Sequence, residues 1–205
     1  MGGFFRPPRR TGFATGVFLP CIMAAIKLEE SQMIRLNVVA GAVLVLMVAG
    51  CSAPLSRPVA TAQLMSTKGS VVTGQVQFFQ KGEKLLVSGV ITGLKPNAEH
   101  GFHVHEKGDC SSGDGMSTGG HFNPDAKPHG AHEHPEHHAG DLPSLKADAG
   151  GVAKFSFESS SITVGSGKAD AVGRGLIVHR DPDDFKTQPT GNAGPRLACA
   201  VITKS

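Results

Sequence analysis

The sequence predicts an all-β domain, an antiparallel sandwich or barrel. Its β-favouring residues come in many short runs, and turn residues separate them: the 205-residue chain holds 27 Gly and 13 Pro. No stretch of the later chain carries an apolar stripe at the helical period, and no unit of about 20–50 residues repeats. Short strands between Gly/Pro turns are the raw material of sandwiches and barrels.

The elements follow in order. Gln75-Val76-Gln77-Phe78-Phe79-Gln80 partly alternates and breaks at Lys81-Gly82, a turn. Leu85 to Ile91 is β-rich and bounded by Gly93. Gly101 to His105 is a third strand candidate. Val152 to Phe157 alternates cleanly after the turn Asp148-Ala149-Gly150-Gly151. Gly175 to His179 and Leu197 to Ile202 complete the set. Two segments stay irregular, roughly 106–140 and 180–195. Loops of that length in a compact domain are functional or disordered, and most of the histidines lie in the first, which points to function.

Residues 1–50 read as a leader. Ala, Val, Leu and Met crowd residues 36–50, which carry no charge; Lys27 and Arg35 precede them, and Val48-Ala49-Gly50-Cys51 follows. This is the charged, apolar, small-residue order of an export signal. The apolar run is short for a membrane span, and the small-small-Cys ending is similar to a bacterial lipobox, in which Cys51 would be lipidated and become the first mature residue. An ordinary signal peptide or short anchor is the alternative. Residues 1–32 overrun any signal peptide, so Met23 or Met33 is the expected start. Residues 51–61 are then a lipidated tether and 62–205 one domain. A lipid on Cys51 ties such a domain to a membrane surface.

The charge balance gives no support for a nucleic-acid partner, and none is expected. Five basic and two acidic residues sit in positions 1–50, which leaves 15 of each from the chain's 20 and 17. The sequence pI near 8.7 therefore belongs largely to the leader, whereas nucleic-acid binding wants a basic patch on the folded domain. Of four cysteines, Cys110 and Cys199 remain for that domain. Export favours a disulfide over a pair of buried thiols. Closing a loop of about 90 residues would stabilise by about 4–5 kcal/mol in the chain-entropy view.

Nine of the ten histidines fall between His100 and His138. Residues i and i+2 of a strand share a face, so His103 and His105 aim two imidazoles at one point while Val104 turns away. With more His and Asp downstream, the set suits a nitrogen- and oxygen-ligated ion such as copper or zinc.

Gly101-Phe102-His103-Val104-His105 and Gly191-Asn192-Ala193-Gly194-Pro195-Arg196-Leu197-Ala198-Cys199 resemble the two signatures of the copper,zinc superoxide dismutases. Gly120-His121-Phe122-Asn123-Pro124, His129-Gly130, His138-Ala139-Gly140-Asp141-Leu142 and Val178-His179 appear between them in family order. The resemblance spans about residues 62–203. It implies an eight-stranded Greek-key β-barrel with two long functional loops. It also implies dismutation of superoxide to O2 and H2O2 by alternating reduction and reoxidation of copper, protecting the cell envelope. Copper would be held by His103, His105, His121 and His179, and zinc by His121, His129, His138 and Asp141, with the His121 imidazolate shared. Asp183 matches the aspartate linking His103 to His129. Arg196 matches the arginine that guides the anion, and Cys110 and Cys199 match the family disulfide. Cys110 lies five residues after His105, and the segment from His179 to Arg196 is short. Both features resemble the periplasmic bacterial branch. The short segment leaves Lys186 and Lys107 as candidate steering charges, with ordinary solvated lysine as the alternative. The resemblance also allows a homodimer.

The physical chemistry agrees with those roles. Imidazoles in a tetragonal set suit copper(II), and a closed N3O set suits zinc, which has no redox chemistry and here no open position for hydrolysis. A non-enzymatic metal buffer on the same barrel would need neither His179 nor Arg196, and an inactive relative would lack a ligand. His100 is expected to hydrogen-bond within the barrel rather than ligate. His132, His134 and His137 are expected in a solvated loop, with an auxiliary metal-gathering site as the alternative. Met116 is expected to pack in its loop. With 11 Phe and no Tyr or Trp, phenylalanine must supply the aromatic core.

Overall fold

Alternation of apolar and polar residues turns these segments into strands with one buried face. The computed structural model describes residues 57–205; the leader, the starts at Met23 and Met33, and Cys51 lie outside the described residues. Strand β1 (Ala60–Ser66) buries Ala60, Ala62 and Leu64. The hairpin of β2 (Thr73–Lys81) and β3 (Lys84–Thr92) buries Val76 and Phe78 from one strand and Leu85, Val87 and Ile91 from the other. Two-residue β4 (Glu99–His100) pairs with β6 (Leu145–Lys146), and β5 (Phe102–His105) lies between them in sequence. Then come β7 (Ala153–Ser159), β8 (Gly175–His179), β9 (Arg196–Val201) and β10 (Thr203–Lys204). Among the described residues there is no α-helix, only a 3₁₀ turn at Met116–Thr118.

The main sheet runs β5-β8-β9-β1-β2-β3-β7, all antiparallel, and β10 joins it beside β1 as the eighth strand. The chain leaves β3 for β4 and β5, yet the neighbour of β3 in the sheet is β7. Strands β1 and β9 also pair although they lie at opposite ends of the domain. These are Greek-key connections. The sheet curls until its two ends approach through the core. The ring of Phe102 on β5 meets that of Phe155 on β7 edge-on, with centroids 5.4 Å apart. Phe78 and Phe102 are fully buried and Phe122 nearly so, as a phenylalanine-only aromatic core requires.

Every segment read as a strand is one. The additions are β1, β4, β6 and β10. β1 begins at Ala60 and takes in the last residues read as tether. Its Ala-Thr-Ala-Gln-Leu-Met-Ser sequence has small side chains and only a faint β signal.

Three features of this frame build the site. All four residues of β5 are buried: Phe102 and Val104 fill the core, and His103 and His105 face the other way, beneath the two irregular loops. The register of β8 on β9 shifts between Val178 and His179, which sets His179 opposite Arg196; bulges of this kind re-aim side chains beside functional sites. Single bridges, His103 to Asp141 and His105 to His121, bring the first loop back along β5. The Cys110–Cys199 disulfide, spanning 89 positions, fastens that loop to β9.

Candidate metal centre

Two groups of buried donors meet at the loop end of the barrel: His103, His105, His121 and His179 in one, and His121, His129, His138 and Asp141 in the other. His121 belongs to both. Within each group one donor atom per residue lies within 4.8 Å of the others.

The first group consists of bare nitrogens. His105 donates Nδ1–H to the carbonyl of Gly119 at 2.9 Å, and His179 donates Nδ1–H to that of Gly194 at 3.0 Å. A neutral imidazole carries one hydrogen, so both Nε2 atoms are unprotonated. They face each other at 3.4 Å, two lone pairs aimed at one point. His103 spends its hydrogen on Asp183, Nε2 to Oδ2 at 2.7 Å, which leaves Nδ1 buried without a partner. His121 Nε2 is likewise buried and unpartnered, and its ring stacks on that of His103 at 3.9 Å.

The second group surrounds one carboxylate oxygen. Asp141 Oδ1 lies 2.8 Å from His121 Nδ1, 3.1 Å from His129 Nδ1 and 3.4 Å from His138 Nδ1. The last two nitrogens point off the hydrogen-bond direction and have no partner. A tetrahedron with bonds of about 2.0–2.1 Å has edges of about 3.3 Å, close to these separations. The other oxygen, Oδ2, accepts the backbone N–H of His138 at 2.9 Å and of Gly130 at 3.2 Å, which fixes the carboxylate.

Asp183 joins the groups. Its Oδ2 takes His103, and its Oδ1 takes His129 Nε2–H at 2.9 Å and the Phe185 N–H at 2.7 Å. Gly191 makes the room, because a Cβ there would lie 1.8 Å from Asp183 Oδ1 and 2.5 Å from His129 Nε2, and its φ of +62° suits glycine. Gln188 clamps the backbone of His129, accepting its N–H at 2.8 Å and donating to its carbonyl at 2.9 Å.

Electrostatics follow from burial. It holds His103 below the ordinary imidazole value, holds His105 and His179 well below it, and takes His121 down to about 4 despite Asp141. At His129 burial pulls the same way, but Asp141 and Asp183 outweigh it and raise the ring to about 9. Burial would raise both aspartates; their histidine partners overcome that and hold them well below the carboxylate range. Four neutral nitrogens converge on one point, and an N3O set with an ionised oxygen on the other. Such donor sets fit a copper ion and a zinc ion respectively.

Arg196 is half-buried beside the first group. One guanidinium nitrogen donates to the Gly115 carbonyl at 2.5 Å and the Thr118 hydroxyl at 2.7 Å, and the other to the Gly119 carbonyl at 2.7 Å. Among the described residues no carboxylate bonds this cation, so its charge stays available to an anion.

The remaining residues fall into place. His100 is buried and donates Nδ1–H to the His179 carbonyl at 2.9 Å, a support rather than a ligand. Met116 is 60% exposed, so it does not pack in its loop, because the 3₁₀ turn presents it to solvent. Lys107 and Lys186 are exposed on the two loops. Gln188 and the steric slot at Gly191 were missed. Gly191 stood in a quoted signature, but nothing local marks Gln188, whose partner is 59 positions away.

Comparisons with known proteins point the same way. Residues 72–202 match the family model described as copper/zinc superoxide dismutase (SODC). A protein of Brassica juncea named superoxide dismutase (Cu-Zn) 2 is 46% identical over 69% of this chain and 94% of its own length. One of Paramecium bursaria Chlorella virus 1, named superoxide dismutase (Cu-Zn), is 44% identical over 64% and 72%. Among solved structures, a double mutant of a SOD-like protein from Bacillus subtilis superposes with a TM-score of 0.64 at 36% identity, covering 70% of this chain and 96% of that one. A Greek-key barrel, two donor sets sharing one imidazole, and a family match across nearly all of that barrel lead to one placement: this chain belongs to the copper/zinc superoxide dismutase family.

Proposed function

We propose that the chain dismutates superoxide to O2 and H2O2, with copper held by His103, His105, His121 and His179 and zinc by His121, His129, His138 and Asp141. The observation that carries this reading is the shared ring: His121 presents Nδ1 to Asp141 in one donor set and a bare, buried Nε2 to the other. When bound, copper supplies one-electron reduction and reoxidation, and zinc a fixed charge that keeps its oxidation state.

The chain's own residues do the rest. Arg196 supplies a permanent cation for a small anion and is braced on three acceptors, so no reorganisation is needed as the anion arrives. His121 Nε2 is the ring atom left open to the first donor set, and the Asp141 contact at Nδ1 keeps the ring from turning. Asp183 fixes the rings of His103 and His129. His105 and His179 are locked by backbone carbonyls, so their open nitrogens stay aimed. Lys107 and Lys186 add positive charge on the surrounding loops, and such fields steer anions.

The chain is further read as a periplasmic lipoprotein of the bacterial branch: a leader over 1–50, Cys51 lipidated, a tether over 51–61, and the dismutase domain over 62–205. The export-signal order around residues 36–54 supports this, as does a disulfide, which persists in oxidising compartments. The family resemblance is the support for a homodimer.

The test is superoxide decay after pulse radiolysis, on protein loaded with one copper and one zinc. A copper-dependent rate near the diffusion ceiling of about 10⁸–10⁹ M⁻¹s⁻¹ is expected. No catalysis with both metals bound would refute the reading.

A further inference from the structure

The histidine-rich turn that dismutation leaves unused lines a cavity of about 500 Å³ outside the second donor group, together with Glu133, Ser161 and Ala169. Two of its rings are tied to the backbone of inner ligands. His132 donates Nδ1–H to the Asp141 carbonyl at 2.9 Å, and His137 donates Nδ1–H to the His138 carbonyl at 2.7 Å. A carbonyl only accepts, so the neutral His137 ring carries its hydrogen on Nδ1 and leaves Nε2 bare, and His132 does so in the tautomer that keeps its shorter contact, to Asp141 at 2.9 Å rather than to Glu158 at 3.3 Å. An Nδ1–H held by a backbone carbonyl is the arrangement that orients Nε2 toward a metal.

The two rings also stand close together, with centroids 5.5 Å apart at 60°. His132 Nε2 also lies 3.3 Å from the Glu158 carbonyl oxygen. In that tautomer His132 Nε2 and the Glu158 oxygen are both acceptors, as are the two Nε2 atoms of His105 and His179, and a cation between them satisfies both. His134 does not take part, because its Nδ1 accepts the Glu136 N–H at 3.1 Å and closes on its own turn.

We propose that His132 Nε2, His137 Nε2 and the Glu158 carbonyl oxygen form an outer intake site for a divalent d-block cation, zinc being the ion it serves. The inference rests on the second group being the zinc centre. The wall between the two sites is one residue thick. His137 faces the cavity while the adjacent His138 faces the centre, and Asp141 turns its carbonyl outward and its carboxylate inward. Two imidazoles and a carbonyl leave positions to water, so the site holds zinc less tightly than the four-ligand centre and can pass it on. The lining holds two carboxylates, Asp125 and Glu133, against one lysine, Lys127.

The whole chain, loaded with one copper and one zinc, is dialysed against Zn²⁺ and its metal counted. A third, weaker equivalent is expected. In the double variant His132→Asn, His137→Asn the side-chain amide keeps an N–H for each carbonyl but lacks the outward nitrogen. It is expected to bind the third equivalent at least about tenfold more weakly while keeping the inner ions, and the metal-free variant to take up limiting zinc about tenfold more slowly. No third equivalent in the parent chain, or one held equally by the variant, overturns the site. An unchanged uptake rate overturns the intake role. Loss of inner zinc in the variant overturns the proposal in favour of plain structural support. Failure of the dismutase reading would show separately, as absent superoxide turnover, which metal counting does not read.

Discussion

Asp183 shows how much can rest on one side chain. Its two oxygens accept from His103 and His129, one ring from each donor group, and both rings need that acceptor at Nε2 to keep Nδ1 aimed into its group. Asn at this position offers one acceptor and one donor. One ring would then face an N–H, turn, and withdraw its Nδ1 from the metal. Asp183→Asn is therefore expected to fold but to bind at least one of the two metals about 10–100-fold more weakly. Competition against a chelator for each metal measures this, and unchanged affinity for both would refute the bridging role. The same carboxylate explains Gly191, since any side chain there would occupy the space of Asp183 Oδ1.

At the scale of elements, the site is two loops fastened to a sheet. The first loop is pinned to β9 by Cys110–Cys199, and just beyond that pin its Gly115, Thr118 and Gly119 brace Arg196. Cys110→Ser is expected to lower the unfolding free energy by about 4–5 kcal/mol, the chain-entropy value for a loop of this span, read by urea unfolding. The freed loop should also release Arg196, so superoxide turnover should fall and lose salt dependence with both metals still bound. Unchanged salt dependence would separate the disulfide from guidance of the anion. Much of this architecture was legible. Strands β2, β3, β5, β7, β8 and β9 carry β-rich or alternating side chains, and the metal-ligand candidates lie in quoted signatures. The illegible parts lack a local signal. β1 is built of small residues, while β4, β6 and β10 have two residues each and exist only because a partner passes by. The shift that sets His179 against Arg196 is a property of pairing, not of either strand, and Gln188 acts across 59 positions.

For the whole molecule, the donor groups turn metal binding into a stability and pH problem. His103, His105, His121 and His179 are buried neutral, with values lowered from 6.5 and His121 at about 4. From pH 6.5 down to about 4, the unfolded chain takes up protons that the native one refuses, so stability of the metal-free protein rises with pH across that window. His129 has the opposite sign: raised to about 9, its contribution is present below 6.5 and lost as pH climbs through 9. Asp141 and Asp183, both depressed, lose theirs only in stronger acid. The four lowered rings act below 6.5 and His129 between 6.5 and 9, so the melting temperature of the metal-free chain should climb from pH 4 to a maximum near 6.5 and decline toward 9. Bound metal adds to this, because it binds the native donors and not the unfolded ones, and it competes with protons for the same nitrogens. The gap between loaded and metal-free melting temperatures should therefore be wide at neutral pH and close on acidification. Calorimetric melting of both forms across this pH range measures it. A flat metal-free profile between pH 4 and 6.5 would mean that the four rings are not held neutral in the native state, and the account of bare nitrogens converging on one point would fall with it.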